Sequence, residues 1–178
     1  MKKLVFAAAT CALLSGCLGY HIGPAKPYYL RDVHSIAVPT FGNSTTIPRI
    51  EALVTDTVIK QFQQDGTFRI ASNENADAIL KGEITRISRS PARSVRGNVL
   101  ATSEFNLVMR IRYKLVGRDG QAVGPAGEVT GSTSFFVNNT SATTTATTGD
   151  VVSDERQALP LAAEELASHL VTQLSEGW

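Results

Sequence analysis

Between Phe105 and Leu115 apolar and polar side chains alternate almost without a break. Phe105, Leu107, Met109, Ile111, Tyr113 and Leu115 share one parity, while Asn106, Arg110, Arg112 and Lys114 share the other with Val108. Side chains leave a pleated backbone on alternate sides, so this stretch is a strand with one face covered and the other mostly wet. A half-wet strand belongs to an antiparallel sheet. Asp119-Gly120 marks a tight turn, Gly124-Pro125 and Gly127 lengthen it, and a partner strand is expected from about Glu128 to Val137. The row of Arg110, Arg112 and Lys114 reads by default as a solvated sheet face, since charges discourage association of exposed strands. The alternative is that it continues the basic segment described below.

The cover for such a sheet is announced near the start of the chain. Ile36 to Val38 is a β-branched run stopped by Pro39, which cannot donate to a ladder. Gly42, Asn43, Ser44 and Thr45 then supply a turn, and Pro48 fits the first turn of a helix running to about Asp65. Ile50, Leu53, Val54 and Val58 form its apolar stripe with Phe62 at the shoulder, and Gly66 is its stop. Strand, turn and helix are one half of a βαβ unit. After them, Thr67 to Ala71 is a short strand and Ala78 to Ser88 a longer one. The alternation of the longer strand is imperfect, because Ile79 and Ile87 share one parity and Leu80 and Ile84 the other. Either both faces are partly buried or a bulge near Gly82 shifts the phase.

The first 32 residues have a different character. Lys2 and Lys3 precede an apolar run from Leu4 to Leu14, too short to span a bilayer, so residues 1–16 read as a secretory signal. Leu14-Ser15-Gly16-Cys17 looks like a bacterial lipobox, in which cleavage leaves Cys17 as the lipidated first residue. Several acyl chains on one residue, palmitate among them, hold a protein on a membrane where a single chain would not. Leu18 rather than an aspartate follows, which in such lipoproteins points to the outer membrane. Residues 17–32 contain Gly19, Gly23, Pro24 and Pro27 and read as an extended tether. Tyr28 and Tyr29 suit a bilayer interface or packing on the domain, and the second is preferred. Residues 33–178 then form a single domain.

Cysteine and charge usage exclude several function classes. Cys11 leaves with the signal and lipid consumes Cys17, so no thiol remains for a disulfide or a metal. Losing Lys2 and Lys3 lowers Lys plus Arg from 17 to 15 against 16 Asp plus Glu, a net charge of −1 that provides no global field for nucleic acid. His21, His34 and His169 are scattered, with no paired carboxylate at ligand spacing, no phosphate-binding glycine loop and no nucleophile elbow. The chain is therefore expected to be no enzyme and to hold no cofactor or metal.

Two segments invite a functional reading. From Arg86 to Arg96 there are four arginines and no acid. As a solvated hairpin loop this needs no ligand, and on composition alone that reading is preferred. As an anion site, Arg89, Arg93 and Arg96 would meet phosphates, whose oxygens the guanidinium fork matches in pairs. Asn138 to Gly149 has six threonines and no large apolar group, so residues 138–150 read as a mobile loop. Past it, Ser153 or Asp154 can cap a helix with the stripe Leu159, Ala162, Ala163, Leu166, Leu170 and Leu174. Pro160 either starts that helix or kinks a longer one.

The residues that follow Cys17, Gly19-Tyr20-His21, together with Ile36-Ala37-Val38-Pro39, Phe41-x-Asn43-x-Thr45, Glu51-Ala52-Leu53 with Thr55, and Ala76-Asp77-Ala78-x-Leu80-x-Gly82, carry a resemblance. In this order and spacing the chain resembles the lipopolysaccharide-assembly lipoproteins of the LptE family over nearly its whole mature length. The match is thinnest at 91–100 and 138–150. The fold expected from the residues is an α+β two-layer sandwich, about four main, largely antiparallel strands with two helices on one face in the order β-α-β-β-β-α. The resemblance implies an outer-membrane lipoprotein, anchored through acylated Cys17 on the periplasmic face. It would partner an LptD-like β-barrel and help lipopolysaccharide reach the outer leaflet, with Arg89, Arg93 and Arg96 as the hypothesised phosphate contacts. The alternative is a regulatory or secretion-linked periplasmic lipoprotein acting on a cell-wall synthase or secretion channel.

Overall fold

A computed structural model describes residues 26–95, 98–137 and 148–177. Six strands and two helices follow one another as β1 Ser35–Ala37, β2 Gly42–Asn43, α1 Ile50–Asp65, β3 Arg69–Ile70, β4 Ala78–Val95, β5 Asn98–Gly117, β6 Gly127–Phe136 and α2 Thr148–Glu176. The α+β class is as expected, with six strands in place of about four main ones: β3 falls within the short strand expected from Thr67 to Ala71, and the two-residue β2 falls where Gly42 and Asn43 read as a turn.

The sheet runs β3-β1-β4-β5-β6, with β2 joining β4 beyond the end of β1. β1 is parallel to both β3 and β4, so β1, α1 and β3 complete the βαβ unit foreseen in the sequence. β4, β5 and β6 form an antiparallel meander in which Ile84 faces Ile111 and Val129 faces Ile111 from the other side. The odd-numbered residues of β5 from Leu107 to Leu115 point at the helices: Leu107, Met109 and Ile111 are wholly shielded, with Tyr113 and Leu115 close behind. Val54, Val58 and Phe62 from α1 and Ala162, Ala163, Leu166 and Leu170 from α2 complete that core.

β4 corrects the sequence reading twice. A register shift between Ile84 and Arg86 is the bulge that explains the broken alternation, two residues past its expected place at Gly82. Leu80 and Ile84 face the helices before it and Ile87 after it, because one extra residue exchanges the two faces. The strand also runs on to Val95 rather than ending at Ser88, so the basic segment read as a hairpin loop is for the most part a ladder with β5, pairing Arg89 with Leu107 and Pro91 with Phe105. Beyond Ile84 no described strand lies on the other side of β4, the edge setting in which a proline is tolerated.

Both helices start elsewhere than expected. α1 begins at Ile50 behind Arg49, which sits in the left-handed region at φ 64°, so Pro48 precedes the helix rather than opening it. Asn43 organises that loop: its amide donates to the Ile47 carbonyl and the Glu51 carboxylate, both at 2.9 Å, while its oxygen accepts the Thr45 N–H. Gly66 ends α1 as foreseen, at φ 74° with its N–H on the Phe62 carbonyl. α2 starts at Thr148, ahead of Ser153, and passes through Pro160, whose ring offers no N–H to the Arg156 carbonyl. Within the presumed tether, Tyr28–Leu30 is a 3-10 turn with Leu30 fully buried and Tyr29 laid on Gly124.

α2 also closes the outer edge of the sheet. The Glu165 carboxylate accepts the Ser132 N–H and the His169 ring donates from Nδ1 to the Thr130 carbonyl at 2.8 Å, occupying backbone groups of β6 that β5 leaves free. The approach is close enough to require Gly131, where a Cβ would meet the Ala162 carbonyl oxygen and the Leu166 backbone.

Candidate functional site

The distal part of the β4–β5 hairpin, the first half of α2 and the loop before α1 converge on one region. The bulge at Ile84/Arg86 turns Arg89 to the helix-covered face, opposite Leu107, and its Nη1 donates to Glu155 Oε2 at 2.6 Å. The pair is partly exposed, with 41% of the arginine and 18% of the glutamate side chain accessible, so its contribution to stability is below about 1 kcal/mol. Its effect is positional, tying the sheet to α2 where the apolar stripe gives out.

Beside this pair lies a cavity of about 490 Å³, walled by Ile47, Pro48, Ile50, Leu53 and Leu159 and bordered by Arg49, Glu155 and Arg156. Arg49 is the one described non-glycine residue with positive φ, a conformation costing on the order of 1–2 kcal/mol. No local pattern connects Arg49 with Glu155 and Arg156, since only the packing of α1 against α2 brings them together.

The sequence-derived arginines do not form one cluster. Arg89 is engaged by Glu155, Arg93 occupies a ladder position opposite Glu104, and Arg96 lies outside the described residues. Also outside them are the signal 1–16, Cys17, the tether as far as residue 25, and residues 138–147 of the threonine-rich segment. Arg110, Arg112 and Lys114 are exposed on the bare face, as the default reading has it, and Arg110 pairs with Glu128 at 3.3 Å.

A polar clasp holds the opposite end of the hairpin. Asp77 Oδ2 accepts the Ser35 hydroxyl at 2.8 Å and the Ser35 and His34 N–H groups at 2.9 and 3.1 Å. Arg118 donates to the Ala76 and Asn75 carbonyls and lies 3.2 Å from Asp77 Oδ1. The Ser35 hydroxyl above all, then the His34 N–H, hold the Asp77 carboxyl below its ordinary range. Burial, and after it the neighbouring Tyr29 phenol, push the Tyr113 hydroxyl up to about 12, so it stays neutral at physiological pH.

These groups are structural in their geometry. His34 and His169 each spend Nδ1 on a backbone carbonyl. Among the described residues no three His, Cys, Asp or Glu side chains stand close enough to share a metal ion, and no helix is long and apolar enough to cross a membrane. What the region offers is surface: an apolar cavity with a charged border, and cationic strands.

Residues 33–174 match the family LptE, described as lipopolysaccharide-assembly. No curated protein matches the chain. Among solved structures it is similar to a point variant of PelC from Paraburkholderia phytofirmans, a dodecamer, at 16% identity and a TM-score of 0.51 over 86% of this chain and 94% of that one. It is likewise similar to a minor lipoprotein of Acinetobacter baumannii, at 14% identity and a TM-score of 0.50 over 80% and 92%. A hypothetical protein of Chlamydia trachomatis shares 8% identity and a TM-score of 0.52 over 80% and 96%. At such identities the likeness is one of fold.

Proposed function

This chain belongs to the LptE lipopolysaccharide-assembly family, and on that premise we propose that it is an outer-membrane lipoprotein partnering an LptD-like β-barrel in delivering lipopolysaccharide to the outer leaflet. The observation that carries the reading is the extent of the family match, from the approach to β1 to the end of the core stripe of α2. The Leu14-Ser15-Gly16-Cys17 motif supplies acyl chains at residue 17 and confines the domain to the periplasmic face. The protein acts through its surfaces and without catalysis. A body with one helix-covered and one polar sheet face suits the lumen of a large barrel, whose wall is polar where lipid does not touch it. Arg93 and Arg96 contact lipopolysaccharide phosphates, while Arg89 positions β4 against α2 through Glu155.

Purification of the full chain from outer membranes tests this directly. The expected result is a one-to-one complex with the barrel and an intact mass bearing acyl groups on Cys17. Replacement of Cys17 by Ala should remove the acyl mass and keep the barrel, because the anchor provides proximity and the folded surface recognition. Recovery of a cell-wall synthase or secretion channel without the barrel would overturn the assignment in favour of a regulatory or secretion-linked lipoprotein.

A further inference from the structure

The face of β4 and β5 turned away from the helices carries Lys81, Arg86, Arg110, Arg112 and Lys114, and the ladder sets four of them in direct opposition, Lys81 against Lys114 and Arg86 against Arg110. Like charges directly across a strand pair are destabilising, and a face that needed only solubility would be served as well by interleaved acids. Two acids share the face: Glu83 and Glu128 stand opposite Arg112 on its two sides, and neither stands opposite Lys81, Lys114 or Arg86. Glu128 pairs with Arg110, and Glu83 accepts the Ser44 hydroxyl at 2.5 Å, toward the β2 side. Among the described residues Lys81, Arg86, Arg112 and Lys114 make no ion pair.

Three of these four, Lys81, Arg112 and Lys114, line a depression of about 240 Å³ together with Gly82, Glu83, Tyr113 and Ala126. Two lysines and an arginine border it against one glutamate, which leaves an excess of two positive charges. Ammonium groups act on an oxyanion as movable point charges, and the fork fixes two of its oxygens. The volume admits a phosphoryl group with its first substituent. We propose that this depression binds a phosphate monoester or diphosphate, with Lys81, Lys114 and Arg112 as its ligands. The site is on the opposite face of the sheet from Arg89 and the apolar cavity, and a titration of the chain without its barrel reads it separately from the family reading.

The experiment is a titration of the full chain, in neutral detergent at constant ionic strength, with inorganic pyrophosphate, followed by amide resonances. Saturable shifts confined to residues 81–83 and 112–114 are expected. Lys81→Gln with Lys114→Gln should weaken binding at least tenfold while raising Tm, because the same change relieves the cross-strand repulsion; a folded and more stable variant keeps the test interpretable. Vesicles of phosphatidylcholine with and without phosphatidic acid separate the sources. Preferential binding to the phosphatidic acid vesicles, competed by pyrophosphate, assigns a lipid headgroup, and pyrophosphate binding without that preference assigns a soluble phosphate. Unchanged affinity in the double variant, or binding of hexaglutamate peptide in the absence of pyrophosphate binding, would overturn the proposal, the latter in favour of an acidic protein surface.

Discussion

On one side of β5 Leu107, Met109 and Ile111 are completely shielded, while between and beyond them Arg110 and Arg112 stand exposed on the other. The same backbone thus carries two environments, and they are held by different physics. The covered face gains about 1.5–3 kcal/mol from each large apolar side chain withdrawn from water, and every such residue is constrained by close packing. On the bare face, partner atoms are few and water screens each charge, so individual residues add little to stability and are free to serve recognition. Arg89 marks the seam. It has the chemistry of the bare face but sits on the covered one, and it reaches Glu155 at the border of α2. Stability therefore resides in one face and the candidate binding chemistry in the other and along that seam.

The sharpest way to break this contrast is to empty the covered face. Leu166, fully buried between α2 and the sheet, should cost about 3 kcal/mol when replaced by Ala, read as a loss in chemical denaturation. A cost below about 1 kcal/mol would mean that α2 is not packed as described. Gly131→Ala tests closeness rather than volume. The added methyl would press on the Ala162 carbonyl and the Leu166 backbone, so α2 must retreat and about 1–3 kcal/mol is lost. On the bare face, Arg110→Gln removes the exposed pair with Glu128 and the opposition to Arg86, and the two effects nearly cancel. Stability should change by less than about 0.5 kcal/mol, and a loss comparable to that of Gly131→Ala would show that the bare face is structural after all.

The alternation from Phe105 to Leu115 was sufficient to define a strand, its two faces and the need for a cover, because side-chain parity is a property of the local backbone. The stripes of both helices, the stop at Gly66 and the turn at Asn43 were legible for the same reason, each depending on residues a few positions apart. Pattern failed where the deciding partner lies far along the chain. The extension of β4 to Val95 depends on β5 continuing the ladder, against the local signal of Pro91 and several serines. The face taken by Arg89 depends on a one-residue bulge placed by pairing, so Arg86 and Arg89, which look like members of one cluster in the sequence, lie on opposite sides of the sheet. The meeting of Arg49 with Glu155 and Arg156, and the opposition of Lys81 to Lys114, exist only once α1 packs on α2 and β4 registers on β5. The sequence by itself determined which elements form and which of their faces are apolar, since those follow from short-range periodicity. Tertiary structure alone decided which charges stand opposite one another, because register and helix packing are set by contacts between residues tens of positions apart.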